Sequence, residues 1–434
     1  MSSFLYVNDE HSTYPSSWYA ATTSMDQPRS RLKGSVSCEV CIIGAGFTGL
    51  STALHLAQKG FQVMVLDAHR VGFGASGRNG GQVGSGWNQS QQKLEKSMGI
   101  DPARRLWEMS NHAKALTRDL VEKYAPEAGY QPGVATANFS HSDTEQNHLD
   151  AEYLARSYGY TEMECLTQSN MASLIKSDRY KGGVIDWGAG HLHPLRYAIG
   201  LARAAEAAGA VIHESSPVMR IDDGNPNILH TDRGQIKAEY VVHATNGYHT
   251  SLNRLQAARV MPINNFLVAT EPLENPISIL TKNIAVADNR FVLNYYRLSD
   301  DNRLIFGGGE SYGTRFPRDL FSKVRKPLTE LFPQLSAVNL THAWGGTLGI
   351  TTTRLPVLAR TGTKQIVAAG YSGHGVALAG FAGLVIAETI AGATERFTLL
   401  EKLPTPSFPG GQTLRSPIMT LAMTWFSLRD KLGI

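Results

Sequence analysis

The stretch Val40–Asp67, VCIIGAGFTGLSTALHLAQKGFQVMVLD, restricts the possible folds of this chain more than any other. Its apolar run Val40–Ile43 has the composition of a strand covered on both faces, as parallel strands are. Gly44-x-Gly46-x-x-Gly49 follows, and then Leu50, Ala53, Leu54 and Ala57 at helical spacing. Gly60 stands where a helix would be capped, Val63–Leu66 reads as a second strand, and Asp67 ends it 23 residues after Gly44. Alone, a Gly-x-Gly-x-x-Gly is a weak signal. Strand, turn, helix, strand and acid in this order predict a dinucleotide-binding unit. Gly44 permits the tight turn, Gly46 lets the backbone approach a pyrophosphate, and Gly49 lets helix and strand pack closely. The helix start offers free N–H groups to phosphate, and Asp67 can accept hydrogen bonds from ribose hydroxyls. The competing reading is a tight strand–helix turn with no ligand, which would not need the terminal acid.

Composition narrows the remaining choices. A chain of 434 residues suggests two or three domains. With 41 Lys+Arg against 37 Asp+Glu and no dense basic block, it carries no footprint for nucleic acid. Three cysteines cannot form a disulfide framework at this length, so a reducing compartment is expected. The first residues lack a basic segment followed by an apolar one, so a cytoplasmic location is expected. From Ile366 to Ala387 no Asp, Glu, Lys or Arg occurs, which is long enough for a membrane span. Five glycines interrupt it, so a strand Ile366–Ala369, a glycine turn and a buried helix Val376–Ile390 are expected instead.

A second glycine cluster, Gly72–Gly86 (GFGASGRNGGQVGSG), follows directly. Successive backbone N–H groups there can form an anion nest, and a cofactor longer than NAD, such as FAD, has a ribityl chain and ring to hold. Residues 94–186 read as helical and mixed, with Arg104–Tyr124 the clearest helix. Pro194–Ala208 reads as a helix, and Val211–His213, Val218–Ile221, Ile228–Thr231 and Tyr240–His243 as short strands. Met261–Thr270, Phe291–Leu298 and Leu304–Gly309 read as a second sheet, taken as the floor of a substrate pocket. Cys38-x-x-Cys41 lies in a strand, where residues three apart face opposite sides, so the thiols are expected not to meet. His191 and His193 lack a third placed ligand, so they are read as structural and no metal site is expected.

Taken together, the motifs resemble the FAD-dependent D-amino acid oxidase and sarcosine oxidase superfamily, and within it the bacterial oxidases of γ-glutamyl polyamines. GASGRNGGQ at Gly74–Gln82 and GYSGHGV at Gly370–Val376 carry most of this. Trp18–Thr22, His191–Leu195, Asn294–Leu298, Phe306–Gly309 and the tail from Phe408 to Gly433 extend it over nearly the whole chain.

The resemblance implies an α/β fold: a Rossmann-type FAD-binding domain built from discontinuous segments, plus a mixed-sheet substrate domain. Residues 1–88, 190–257 and 342–434 would form the first. Residues 89–189 (helical) and 258–341 (sheet) would form the second. It places the ADP-ribose at Gly44, Gly46, Phe47, Thr48, Gly49, Asp67 and Ala68, with Asp67 standing where Glu is more usual. Gly74, Ala75, Ser76, Arg78, Asn79, Gly80, Gly81 and Gln82 would run beside the pyrophosphate, ribityl chain and ring. Val218 would meet adenine, and Ala244, Thr245 and Asn246 would let the cofactor pass. Gly373, His374, Gly375 and Val376 would lie at the pyrimidine edge of the flavin. Some relatives tether the flavin through a Cys near Trp344–Thr351, and none occurs there, so FAD is expected to be non-covalent.

The implied chemistry is hydride transfer from an amine α-carbon to flavin N5, then imine hydrolysis, with O2 as the electron acceptor. His374, Tyr296, Arg297 and Trp344, with Tyr295 beside them, are the pocket candidates. Aromatic walls can hold an alkylammonium and Arg297 a substrate carboxylate. The expected substrate is γ-glutamylputrescine or a related γ-glutamyl polyamine. Alternatives are a small secondary amine or amino acid such as an N-substituted glycine or iminodiacetate, a quinone-linked dehydrogenase, or a flavin-binding protein without turnover. Pro417–Leu432 reads as an amphipathic helix docked on the protein itself, with membrane contact as the lesser alternative.

Overall fold

The computed structural model describes residues 5–248, 252–290 and 292–409. The expected helix at Pro417–Leu432 and the tail motif beyond Pro409 lie outside these residues.

Two large sheets organise the chain. The first has its parallel core in the order Gln365–Ala369, Gly234–His243, Gly34–Ile43, Val63–Leu66 and Val211–His213. Val357–Thr361 runs antiparallel at one edge, and the hairpin Arg220–Asp222 with Asn227–His230 leans antiparallel on Gly234–His243. Val40, Cys41, Ile42, Val241 and Val242 are all fully buried, because helices cover the parallel strands.

Two of those helices meet with little between them. Phe47–Ala57 packs along Gly375–Ile390, where the Ser51 hydroxyl donates to the Gly380 carbonyl at 2.6 Å. A Cβ on Gly383 would stand 2.5 Å from Thr48 O and 2.7 Å from Ser51 Cβ. The glycines in the uncharged stretch thus serve close helix contact. No helix among the described residues is long and apolar enough to cross a membrane. Burying Phe381, Val385, Ile386 and Ile390 contributes about 1.5–3 kcal/mol each.

The second sheet has nine strands. Eight run in the order Leu340–Ile350, Met261–Thr270, Leu304–Ser311, Tyr295–Leu298, Ala285–Asp288, Gln131–Asn138, Gly182–His191 and Gln82–Val83, and Met163–Leu166 pairs with Gly182–His191. The sequence reading of 94–186 as helical and mixed becomes specific here. Besides the helices Ile100–Tyr124 and His141–Tyr158, that region supplies the strands Gln131–Asn138 and Met163–Leu166 and part of Gly182–His191. Leu340–Ile350, which contains Trp344, is the edge of this second sheet, paired with Met261–Thr270.

The expectation for the cysteines is also corrected. Glu39 and Val40 both donate to Gln62 O, the strand departs from simple alternation, and Cys38 joins Cys41 and Ile43 in one apolar cluster. The hydrogen bond between the two thiols, together with burial, holds Cys41 well above the usual thiol range. Both remain free thiols.

Candidate active site

The carboxyl ends of the central parallel strands, Ile43, Leu66 and Ala244, open onto a cleft of about 1200 Å³ including its mouth. A cleft at this end of an open parallel sheet is where ligands bind in such folds. Most residues assigned to the cofactor line it: Gly44, Gly46, Phe47, Thr48, Asp67, Ala68, Gly74, Ala75, Ser76, Asn79, Val218, Ala244, Thr245, Asn246, Gly373, Gly375 and Val376.

Local contacts explain why small residues are needed here. A Cβ on Gly44 (φ +107°) would lie 2.7 Å from Ala244 O, and one on Gly46 would lie 2.8 Å from Ser76 Oγ. Gly49 does not line the cleft but packs its helix onto the Gly44 carbonyl, the close approach expected of it. Ser76 Oγ accepts from Phe47 N at 3.0 Å, joining the second glycine loop to the first.

Both helices end on this cleft, and neither N-terminus is capped by its own N-cap side chain, Gly46 or His374. Ser76 takes the first N–H of the helix Phe47–Ala57 from outside it, and the remaining N–H groups of both helix starts direct partial positive charge into one cavity, which suits an anionic dinucleotide. Asp67 accepts from Ala45 N at 2.7 Å and His69 N at 2.8 Å. Burial outweighs those bonds and raises its carboxyl to about 6. A glycine-lined cleft, two positive helix ends and a carboxylate at its floor are the donor set an FAD requires.

Other assignments are relocated by the structure. Arg78 is corrected: its guanidinium turns to Asp9, 2.9 Å away, and to the carbonyls of Phe73 and Gly345, and stacks on the Phe73 ring. Its Nη2 is buried without a partner among the described residues. Gln82 donates to Val286 O, and Gly81 N donates to Asn79 Oδ1. Gly80 O accepts from Arg297 Nε at 3.1 Å.

Among the proposed pocket residues, strand alternation decides. Tyr295 and Arg297 share the face beneath the glycine loop, and the Tyr295 ring would lie 2.7 Å from a Cβ on Gly80. Tyr296 is corrected. It points to the opposite face, stacked on Phe306 at 5.7 Å and edge-on to Phe332, with its hydroxyl on Tyr180 at 3.2 Å. Arg297 is buried, with no carboxylate partner among the described residues, and donates to Gly80 O, Leu298 O and Tyr19 OH. Trp344 is 1% exposed, donates to Arg78 O at 3.1 Å and meets the Tyr19 ring edge-on. Both brace the loop at 78–81. His374 lies between the cleft-lining Gly373 and Gly375, its Nε2 2.9 Å from Ser85 O.

His191 and His193 are buried, and His193 caps the helix Pro194–Ala207. Among the described residues no group of three or more His, Cys, Asp or Glu is placed to hold a metal ion.

Sequence reasoning misses two parts of the site. One is the N-terminal segment. Leu5 lines the cleft and its carbonyl meets His69 Nε2 at 2.6 Å, while Asn8 bonds Thr314 O and Phe316 N. The other is a partly buried polar group at Ser85, Lys114, Tyr160 and Asp186. Lys114 falls on the same helical stripe as Leu106, Ser110, Ala113, Thr117 and Val121, which is a readable signal.

The FAD dependent oxidoreductase family matches residues 39–389. The chain belongs to that family. It is 39% identical over 97% of its length to the gamma-glutamylputrescine oxidoreductase of Escherichia coli K12, covering 99% of that protein. It is 38% identical to the probable oxidoreductase OrdL of Rhizobium meliloti, over 96% of this chain and 97% of that one. The glycine oxidase structure from Geobacillus kaustophilus superposes with a TM-score of 0.70 at 23% identity, over 82% of this chain and 95% of that one, and shows the shared fold. This protein is therefore an FAD-dependent oxidoreductase acting on amine donors.

Proposed function

We propose that this enzyme oxidises the free amine end of a γ-glutamyl-blocked polyamine such as γ-glutamylputrescine, with FAD held non-covalently in the cleft and O2 as electron acceptor. The observation that carries the substrate is 39% identity, nearly end to end, with gamma-glutamylputrescine oxidoreductase. Non-covalent FAD is supported by the absence of cysteine from the residues lining the cleft. Three free thiols support a reducing compartment such as the cytoplasm.

When bound, FAD supplies a two-electron acceptor for the hydride of the amine α-carbon, and the released imine hydrolyses to aldehyde and ammonia. The chain's own residues then have separable tasks. Asp67 would receive the ribose hydroxyls, and the helix start at Phe47–Thr48, whose first N–H is held by Ser76 Oγ, would direct its positive end at the diphosphate. Ser76 and Asn79 line the path between diphosphate and ring. The helix start at Gly373–Val376 stabilises negative charge on the ring side of the cleft. Tyr295 and Trp344, seated beneath residues 78–81, hold that loop against the cleft. We divide the chain by its two sheets, the parallel sheet and its helices as cofactor unit and the nine-stranded sheet as substrate unit, so residues 82–83, 190–191 and 342–350, expected with the cofactor segments, go to the substrate sheet.

The deciding experiment mixes the purified protein anaerobically with γ-glutamylputrescine, putrescine, sarcosine, iminodiacetate and D-alanine, following the flavin absorbance. Air is then readmitted and peroxide assayed. Fast bleaching by the γ-glutamyl amine alone, with peroxide on reoxidation, is the expected result. Bleaching by an N-substituted glycine instead would move the substrate, and bleaching without peroxide would replace O2 by another acceptor.

A further inference from the structure

Four polar side chains meet beside the cleft, away from the cofactor-lining residues. Lys114, on the buried face of Ile100–Tyr124, donates from Nζ to Ser85 Oγ at 2.6 Å and to Tyr160 OH at 2.8 Å. Each hydroxyl passes its own proton to Asp186: Ser85 Oγ to Oδ2 and Tyr160 OH to Oδ1, both at 2.5 Å. The directions are fixed, since an ammonium only donates and an ionised carboxylate only accepts. The backbone N–H groups of Gly188 and Ala189 complete the shell of Asp186. Cation and anion are thus joined through two hydroxyls.

The ring of four touches the cleft at one point. Ser85 O lies 2.9 Å from His374 Nε2. A carbonyl cannot donate, so the proton is on Nε2 and a neutral ring keeps its lone pair on Nδ1. Gly84 lets the imidazole lie against the loop, since a Cβ there would be 2.7 Å from Nε2. Of the charged groups, Asp186 on Gly182–His191 acts on His374 itself, while Glu162, ahead of Met163–Leu166, and Arg118, on Ile100–Tyr124, act on Lys114. The turn itself adds the titratable Tyr371. Asp186 pulls His374 towards protonation, and burial opposes it more strongly.

We propose that Lys114 is a positioning residue. By offsetting the charge of Asp186 through Ser85 and Tyr160, it adds to burial in keeping His374 a neutral imidazole with its proton on Nε2, at the helix end facing the cofactor. The positive potential there then comes from the helix alone and does not change with pH near neutrality. This inference rests on FAD occupying the cleft and is independent of which amine is oxidised.

The test uses the FAD-loaded full chain labelled with 15N-histidine, together with the cofactor's midpoint potential measured from pH 5.5 to 9. In the unaltered protein His374 keeps the Nε2–H form at neutral pH, and any break it gives the potential lies at the acid end of this range or below it. Lys114→Met leaves the field of Asp186 uncancelled, so the His374 pKa rises by about one unit and a break enters the potential at that pH. Asp186→Asn raises nothing, and the double variant Lys114→Met/Asp186→Asn loses the break again. Lys114→Gln keeps hydrogen-bond donors without the charge and gives the same upward shift, which decides the matter if the Met variant fails to fold. An unmoved His374 titration in both Lys114 variants, or a shift that survives in the double variant, overturns the proposal. A protein that holds no flavin would instead overturn the assignment of the cleft, which the absorbance spectrum reports separately.

Discussion

Asp67 links cofactor affinity to pH in a way that can be worked out from its surroundings. Without the cofactor its carboxyl is raised from 3.8 to about 6, chiefly by burial. A rise of that size corresponds to at most about 3 kcal/mol, reduced by water in the open cleft. Because the folded value is raised, this cost is fully present above pH 6 and disappears as pH falls from 6 towards 4, so the apoprotein gains stability on acidification from this group. FAD acts in the opposite sense. Ribose hydroxyls donate to the ionised carboxylate, so binding favours the charged form. The apparent Kd then rises about twofold at pH 6 and about elevenfold at pH 5 over its plateau above pH 7. Asp67→Asn removes this dependence and weakens the plateau by roughly ten- to a hundredfold, the scale of a lost charge-assisted hydrogen bond. Titrating apoprotein with FAD and following flavin fluorescence quenching measures both. An unaltered protein with pH-independent affinity between 5 and 8, or an Asn variant with the same slope, refutes the reasoning.

Other substitutions separate site from scaffold. Tyr296→Phe removes one buried hydroxyl on the far face of its strand, so bleaching rates stay unchanged while thermal unfolding shows a loss of about 1 kcal/mol. Asp9→Ala leaves the Arg78 guanidinium buried without its counter-charge and costs about 3 kcal/mol in denaturant unfolding, much of which Asp9→Ala/Arg78→Met recovers. Gly84→Ala pushes on the His374 ring, breaks its bond to Ser85 O and shifts the flavin absorbance bands without releasing FAD, readable in the visible spectrum.

Much of the cofactor half is legible because its signals are local. A strand, a glycine turn and a helix with a fixed apolar period occupy contiguous residues, and the strand Val63–Leu66 falls where the pattern places it. The substrate half depends on pairing across distance. Gln131–Asn138 contains Pro132 and Gly133, and Gly182–His191 contains four glycines, so neither reads as a strand alone. Each forms because the other is its partner. For Tyr295–Leu298 the alternation is readable but not its phase, which is why the sequence names Tyr296 as a pocket residue together with its neighbours Tyr295 and Arg297. Arg78 fails for another reason: its partner Asp9 comes from a segment whose sequence carries no structural period. Lys114 is within reach, since a lysine on an apolar helical stripe announces a buried partner.

The segment Leu5–Tyr14 has a consequence for how the enzyme is made. It holds Thr314 and Phe316 through Asn8, and Arg78 through Asp9. Asn8 thus finds its docking partners only after some three hundred residues beyond it have been translated. A nascent chain can form its glycine turn early, yet the cleft's outer wall stays unbuilt until the second sheet exists. Secure retention of the flavin is therefore acquired only once the second sheet has formed.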